Sequence, residues 1–162
     1  MGLRLGVGEN MERIRVVIIG AGIIGASIAR ILSMFENLEI HLVEKEPDVG
    51  WGVSRANTAL IHGCYTEDPD KHPLRAKLCI EGAKLWRHWI RELDIPAEFP
   101  GALVIAFTPD EMEILYTLLD NGVKNKVPSL TLIENRDQLE FLEPNISSNA
   151  IGALWSPSVG FL

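Results

Sequence analysis

The chain has 162 residues, 47% of them hydrophobic, with a formal net charge of −7, which is enough for one core and marginal for two domains. That acidic balance, with no basic stripe, excludes nucleic acid as a partner, and the longest uncharged apolar stretch, Val16 to Ala26, is too short to span a bilayer. Residues 1–10 carry no apolar core of signal-peptide length, and the two cysteines and four histidines fall into no metal-ligand spacing, so a cytoplasmic, metal-free protein with reduced thiols is expected.

In chain order, residues 1–10 read as a tail. The β-branched run Val16-Val17-Ile18-Ile19 predicts a strand, followed at once by Gly20, Gly22 and Gly25 in GxGxxG spacing. Gly20 suits the tight turn, Gly22 lets backbone approach a pyrophosphate, and Gly25 allows close helix–sheet packing. Ile28, Ile31, Leu32 and Phe35 recur at helical spacing, with Ala26 and Ala29 keeping one side small, and Asn37 is expected to end this helix. Leu38, Ile40, Leu42 and Val43 predict the second strand, and Glu44 follows where a ribose hydroxyl pair needs an acceptor. An acid there prefers a free 2′-hydroxyl and so disfavours NADP, without separating NAD from FAD.

Lys45 to Thr58 is a polar loop, long for a plain strand–helix–strand unit, and long loops are usually functional or disordered. A short apolar segment, residues 57–63, ends it. Pro69 to Leu93 predicts a long helix with Leu74, Leu78, Leu85, Trp89 and Leu93 on one side. Ala102 to Phe107 is a strand, Thr108-Pro109-Asp110-Glu111 a capped start for a helix ending near Asn121 or Lys124. Residues 130–133 are a short strand, Arg136 to Leu142 a short helix, and Ile151 to Trp155 a last strand. The elements from Ala102 onward read as a second layer attached to the first. Mean hydropathy of +0.13 and an apolar end at Leu162 suggest surface covered by something else, and the C-terminus is expected to be cut.

The glycine cradle, Glu44-Lys45-Glu46 and the block Ser54-Arg55-Ala56-Asn57-Thr58-Ala59-Leu60-Ile61-His62-Gly63 together resemble the D-amino-acid-oxidase-like superfamily of FAD-dependent oxidoreductases. Within it the likeness is to prokaryotic FAD-dependent glycerol-3-phosphate dehydrogenases and the related L-2-hydroxyglutarate oxidases. Residues 74–82 and 142–145 strengthen it. The resemblance implies an α/β fold: a Rossmann-like FAD-binding βαβ unit with the start of an α+β substrate domain, truncated to the first third to half of an enzyme. The expected organisation is a tail at 1–10, an FAD-binding portion at 11–100 and the beginning of a substrate or cap domain at 101–162. Gly20, Gly22, Ile23 and Gly25 would hold the diphosphate, Glu44 and Lys45 the adenosine ribose, and Ser54, Asn57 and Thr58 the stretch towards the flavin.

The implied reaction is oxidation of a secondary alcohol on a small anionic metabolite, by hydride transfer to flavin while a base removes the hydroxyl proton. Glycerol 3-phosphate is the first substrate expected, L-2-hydroxyglutarate or a related hydroxy acid the second; an inactive fragment or subunit needing a C-terminal half is the third reading. His62 is the candidate base, against the alternative of a histidine satisfied by backbone at a strand end. His41, His88, Arg55, Cys64 and Cys79 read as structural or solvated, and Trp51 is the tryptophan placed on the cofactor loop. A second polypeptide or a second copy of the chain is the protein partner left open.

Overall fold

A computed structural model describes residues 13–162, so the expected tail at 1–10 lies outside the described residues. The chain forms two compact units, divided between Thr58 and Ala59. In the first unit, β1 (Ile14–Ile19) and β2 (Leu38–Val43) pair in parallel, from Ile14 opposite Leu38 to Ile19 opposite Val43. They are joined by α1 (Ile23–Leu32), the crossover that a parallel pair needs. The strands match the expectation, but α1 ends at Leu32 rather than Asn37. Ser33 caps it, its hydroxyl donating to the Arg30 carbonyl at 2.8 Å, and the Met34 and Phe35 N–H groups close tighter turns onto Ile31 and Leu32. Gly25 is buried, and a Cβ there would sit on the Gly20 carbonyl oxygen. The backbone of α1 can approach the turn this closely only with glycine at that position.

The second unit opens with β3 (Leu60–Ile61), followed by α2 (Pro73–Glu92), β4 (Ala102–Ala106), α3 (Pro109–Lys124), β5 (Thr131–Ile133), α4 (Arg136–Leu142), β6 (Gly152–Ser156) and β7 (Gly160–Phe161). β4, β6 and β5 form an antiparallel sheet in that order, and β3 pairs antiparallel with β7. Alternation along the central strand β6 sorts the core into two layers. Leu154 packs with Ala106, Met112 and Leu115 under α3, whereas Ala153 packs with Ile133, Leu139 and Ile146 under α4.

The α3 capping box forms as its sequence requires: Thr108 Oγ1 accepts from the Glu111 N–H at 3.3 Å, and the Glu111 carboxylate accepts from the Thr108 N–H at 3.2 Å. α2 starts at Pro73 rather than Pro69, because the Asp68 carboxylate accepts the Asp70 and Lys71 N–H groups at 3.0 and 3.2 Å and holds a turn first. Its inward face also differs from expectation, except at Trp89. Ala76 and Trp89 are buried, with Cys79, Ile80 and Ala83 half-buried, while Leu74 and Leu78 are 67% and 62% exposed. The β7 strand is an addition the sequence did not signal. A boundary expected at residue 100 falls inside this unit, where the Glu98 N–H donates to Phe161 at 3.0 Å and the Gly101 N–H to Val159 at 3.2 Å.

Candidate functional site

In the first unit the glycine turn, the acid after β2 and the long loop converge. Gly20, at φ +99°, makes the turn out of β1, and its N–H donates to the Val43 carbonyl at 2.7 Å. That bond carries the β1–β2 ladder into the turn and sets Glu44 beside it. Glu44 Oε2 accepts the Ala21 N–H at 2.7 Å, while Oε1 accepts the N–H groups of Lys45 and Glu46 at 2.8 and 3.0 Å. These bonds favour the ionised carboxylate, so its pKa lies below the ordinary 4.5, the Ala21 N–H being the largest cause. A carboxylate oxygen has two acceptor directions, so Oε2 keeps one for a further donor.

The loop folds back on the same turn. Ser54 Oγ accepts the Ile23 N–H at 2.9 Å, the Gly50 N–H donates to Ala21 at 2.8 Å, and the Asn57 side-chain amide donates to the Ser54 carbonyl. A Cβ on Gly22 would lie 3.1 Å from Ser54 Oγ, so glycine there keeps the seam between turn and loop open. α1 begins at this seam with no side-chain cap and no acid in its first turn. No acid within α1 itself therefore meets the positive end of its dipole, and the Glu44 carboxylate is bonded to the Ala21 N–H just before it.

These groups enclose a cavity of about 470 Å³. Of the residues expected to bind a cofactor, Gly20, Gly22, Glu44, Lys45 and Ser54 line it. Ile23 contributes its N–H to Ser54, Gly25 packs beneath the turn, and Asn57 and Thr58 lie on the loop outside the lining. Sequence reasoning missed Ile19, Val43, Glu46, Gly52 and Val53 as lining residues. The signal was available for the first two, since ligands in such sheets sit beyond the carboxyl ends of the strands. Trp51 also lines the cavity, with the Arg55 guanidinium stacked 4.5 Å from its ring centroid.

His62 belongs to the second unit, just past β3. It lines another cavity, of about 320 Å³, with Lys84 and Arg87 from α2 and Lys126 from the turn after α3. The chain turns sharply after it: Cys64 adopts φ +60°, and a Cβ on Gly63 would press on the Ser156 hydroxyl and the Tyr65 ring, both at 2.7 Å. Buried Asn125 holds this turn, its amide donating to the carbonyls of Cys64 and Glu67 at 2.8 and 2.7 Å. No pattern in the sequence marks Asn125, which lies 61 residues from Cys64. His41 pairs with Glu39 at 2.8 Å and His88 with Glu92 at 3.2 Å, both on exposed surfaces. Among the described residues no helix is long and apolar enough to cross a membrane.

Residues 15–162 match the family model described as FAD dependent oxidoreductase. A glycerol 3-phosphate dehydrogenase of Caloramator mitchellensis is 44% identical over 147 residues, covering 91% of this chain and 30% of that protein. The mitochondrial L-2-hydroxyglutarate dehydrogenase of Dictyostelium discoideum is 34% identical, covering 97% of this chain and 35% of its own length. Among solved structures, the dithionite-reduced L-alpha-glycerophosphate oxidase of Mycoplasma pneumoniae with FAD bound superposes with a TM-score of 0.82. It is 29% identical, and the match covers 94% of this chain and 39% of that one. The chain thus spans about a third of the length of the curated relatives it matches.

Proposed function

The chain belongs to the family of FAD-dependent oxidoreductases, and from that premise we propose that it is the flavin-gripping portion of an enzyme oxidising a secondary alcohol on a small anionic metabolite, glycerol 3-phosphate first. One observation carries the reading: the Glu44 carboxylate accepts the Ala21 N–H of the glycine turn at 2.7 Å, so acid and turn close a single cavity. The residues present fit the ADP half of FAD. The close backbone approach that glycine permits at Gly22 and the start of α1, which has no acid in its first turn, suit the diphosphate, and the spare acceptor on Glu44 Oε2 suits a ribose hydroxyl.

When bound, FAD supplies the acceptor for the hydride leaving the carbinol carbon. In this reading Gly20, Gly22, Ile23, Gly25, Glu44, Lys45, Ser54, Asn57 and Thr58 hold and orient it. An unprotonated imidazole nitrogen of His62 takes the hydroxyl proton. The cavity lined by His62 carries Lys84, paired with Glu81 at 2.9 Å, Arg87, which donates to the Ser158 carbonyl at 2.9 Å, and Lys126, a cationic lining that suits an anionic substrate. The Dictyostelium relative, matched over 97% of this chain, favours L-2-hydroxyglutarate as the second substrate reading.

Anaerobic addition of each substrate to the complete flavin-loaded enzyme that contains this portion decides between them. Glycerol 3-phosphate is expected to bleach the visible flavin band, and His62→Ala to slow bleaching about 100-fold or more. Bleaching by L-2-hydroxyglutarate alone would transfer the assignment to the second substrate. Bleaching by neither would overturn both, and an unchanged rate in His62→Ala would remove the histidine.

A further inference from the structure

The cradle in the first unit leaves apolar side chains uncovered within it. Ile19, Val53 and Trp51 line the cavity with 88%, 87% and 47% of their surface exposed. Covering such surface is favourable, and neither a phosphate nor a ribose offers much apolar area with which to do it. Among the described residues Trp51 is the single aromatic side chain on that lining. We infer that the indole of Trp51, backed by the Arg55 guanidinium, is the platform on which the adenine ring of the cofactor stacks. The inference rests on reading this cavity as the ADP site of FAD.

The loop holds the indole in place for that role. Gly50 adopts φ +67°, a conformation that favours glycine, and its N–H donates to the Ala21 carbonyl at 2.8 Å. The chain is thereby tied to the glycine turn immediately before Trp51. Beyond Trp51, Ser54 Oγ accepts the Ile23 N–H at 2.9 Å and ties the loop to the start of α1. The Arg55 N–H donates to the Gly52 carbonyl and the Ala56 N–H to the Val53 carbonyl, both at 3.1 Å. These turns carry Arg55 back over the indole, with its guanidinium 4.5 Å from the ring centroid. The cation occupies one face of the ring, so a base stacks on the opposite one.

The order of groups along the ADP moiety points to the same part of the cofactor. With the diphosphate at the start of α1 and the ribose at Glu44, the base is the next group, and Trp51 shares the cavity with Glu44, Lys45 and Glu46. A purine presents a flat π-face to an aromatic side chain, and stacking of this kind strengthens binding by about tenfold or more. It needs no hydrogen bond to the edge of the base, so a loop tryptophan suffices.

Calorimetric titration of ADP into the full chain, paired with tryptophan emission, tests the inference. Trp51→Leu is expected to weaken ADP binding at least about tenfold, whereas Trp51→Phe, which keeps an aromatic face, stays within about threefold of the wild-type chain. ADP should quench the emission of the wild-type chain and leave that of Trp51→Phe unchanged, because Trp86, Trp89 and Trp155 all lie in the second unit. Equal ADP affinity in the wild-type chain and Trp51→Leu would overturn the inference while leaving the cradle standing. So would equal quenching in Trp51→Phe, or binding to Trp51→Phe as weak as to Trp51→Leu. A wild-type chain that binds no ADP would overturn the cradle reading itself, and this inference with it.

Discussion

Glu44 has two tasks that a single carboxylate rarely combines. It satisfies three backbone N–H groups of its own fold and still offers an acceptor towards the cavity. Its place at the end of the second strand was legible in the sequence, because the spacing from Gly20 fixes where β2 must end. Its bond to Ala21 was not legible, since that contact depends on how the turn tilts towards β2. The folded pKa lies below the ordinary value of 4.5, so deprotonation favours the folded cradle. The contribution is therefore complete above about pH 4.5 and disappears as pH falls through the depressed folded value. The difference in thermal midpoint between the wild-type chain and Glu44→Gln should be constant at neutral pH and shrink on acidification below that point. A difference that grew in acid would contradict the assignment of those N–H groups to an ionised Glu44.

Among the elements, those with strong local chemistry were the most readable. The α3 start is written in Thr108, Pro109 and Glu111, and α4 spans Arg136–Leu142 as expected, capped by Asn135 accepting the Gln138 N–H at 3.1 Å. α2 was harder, because its length follows from periodicity but its inward face is chosen by tertiary packing. Leucines at 74, 78 and 85 marked one side, yet the small residues Ala76 and Ala83 allow closer approach and turn inward with Ile80. β7 is too short to carry a pattern and exists because Leu60 and Ile61 pair with it. A paired experiment checks this view of the helices. Gly82 is helical, and a Cβ there would meet nothing within 4 Å, so Gly82→Ala should raise stability by about 0.5–1 kcal/mol. Thr108→Ala removes the α3 cap and should lower it by about 1 kcal/mol. Denaturant midpoints measure both, and a destabilising Gly82→Ala would mean that face of α2 is more crowded than described.

For the molecule as a whole, the two units differ in completeness. The second buries two hydrophobic layers about one sheet, whereas the first is a two-stranded sheet with one helix, its Val17 and Ile19 being 56% and 88% exposed. A small apolar unit of this kind gains from any ligand that binds only its folded form, by about 2.7 kcal/mol at a ligand concentration 100 times Kd. The comparisons place the chain in its family from end to end of the match, residues 15–162, while spanning about a third of its curated relatives. The dinucleotide cradle was readable because the glycine spacing and the acid are local and chemically demanding, while FAD rather than NAD followed from the resemblance carried with the block at 54–63. The packing of the histidine turn by Asn125 was not, because it joins residues 61 positions apart.

Calorimetric titration of FAD into the purified chain, and into Glu44→Ala checked for retained folding, tests the central claim most directly. The account predicts saturable binding to the wild-type chain, weakened at least about tenfold by the substitution, equivalent to about 1.4 kcal/mol. FAD that binds both proteins equally, or leaves the wild-type chain unbound, would contradict it.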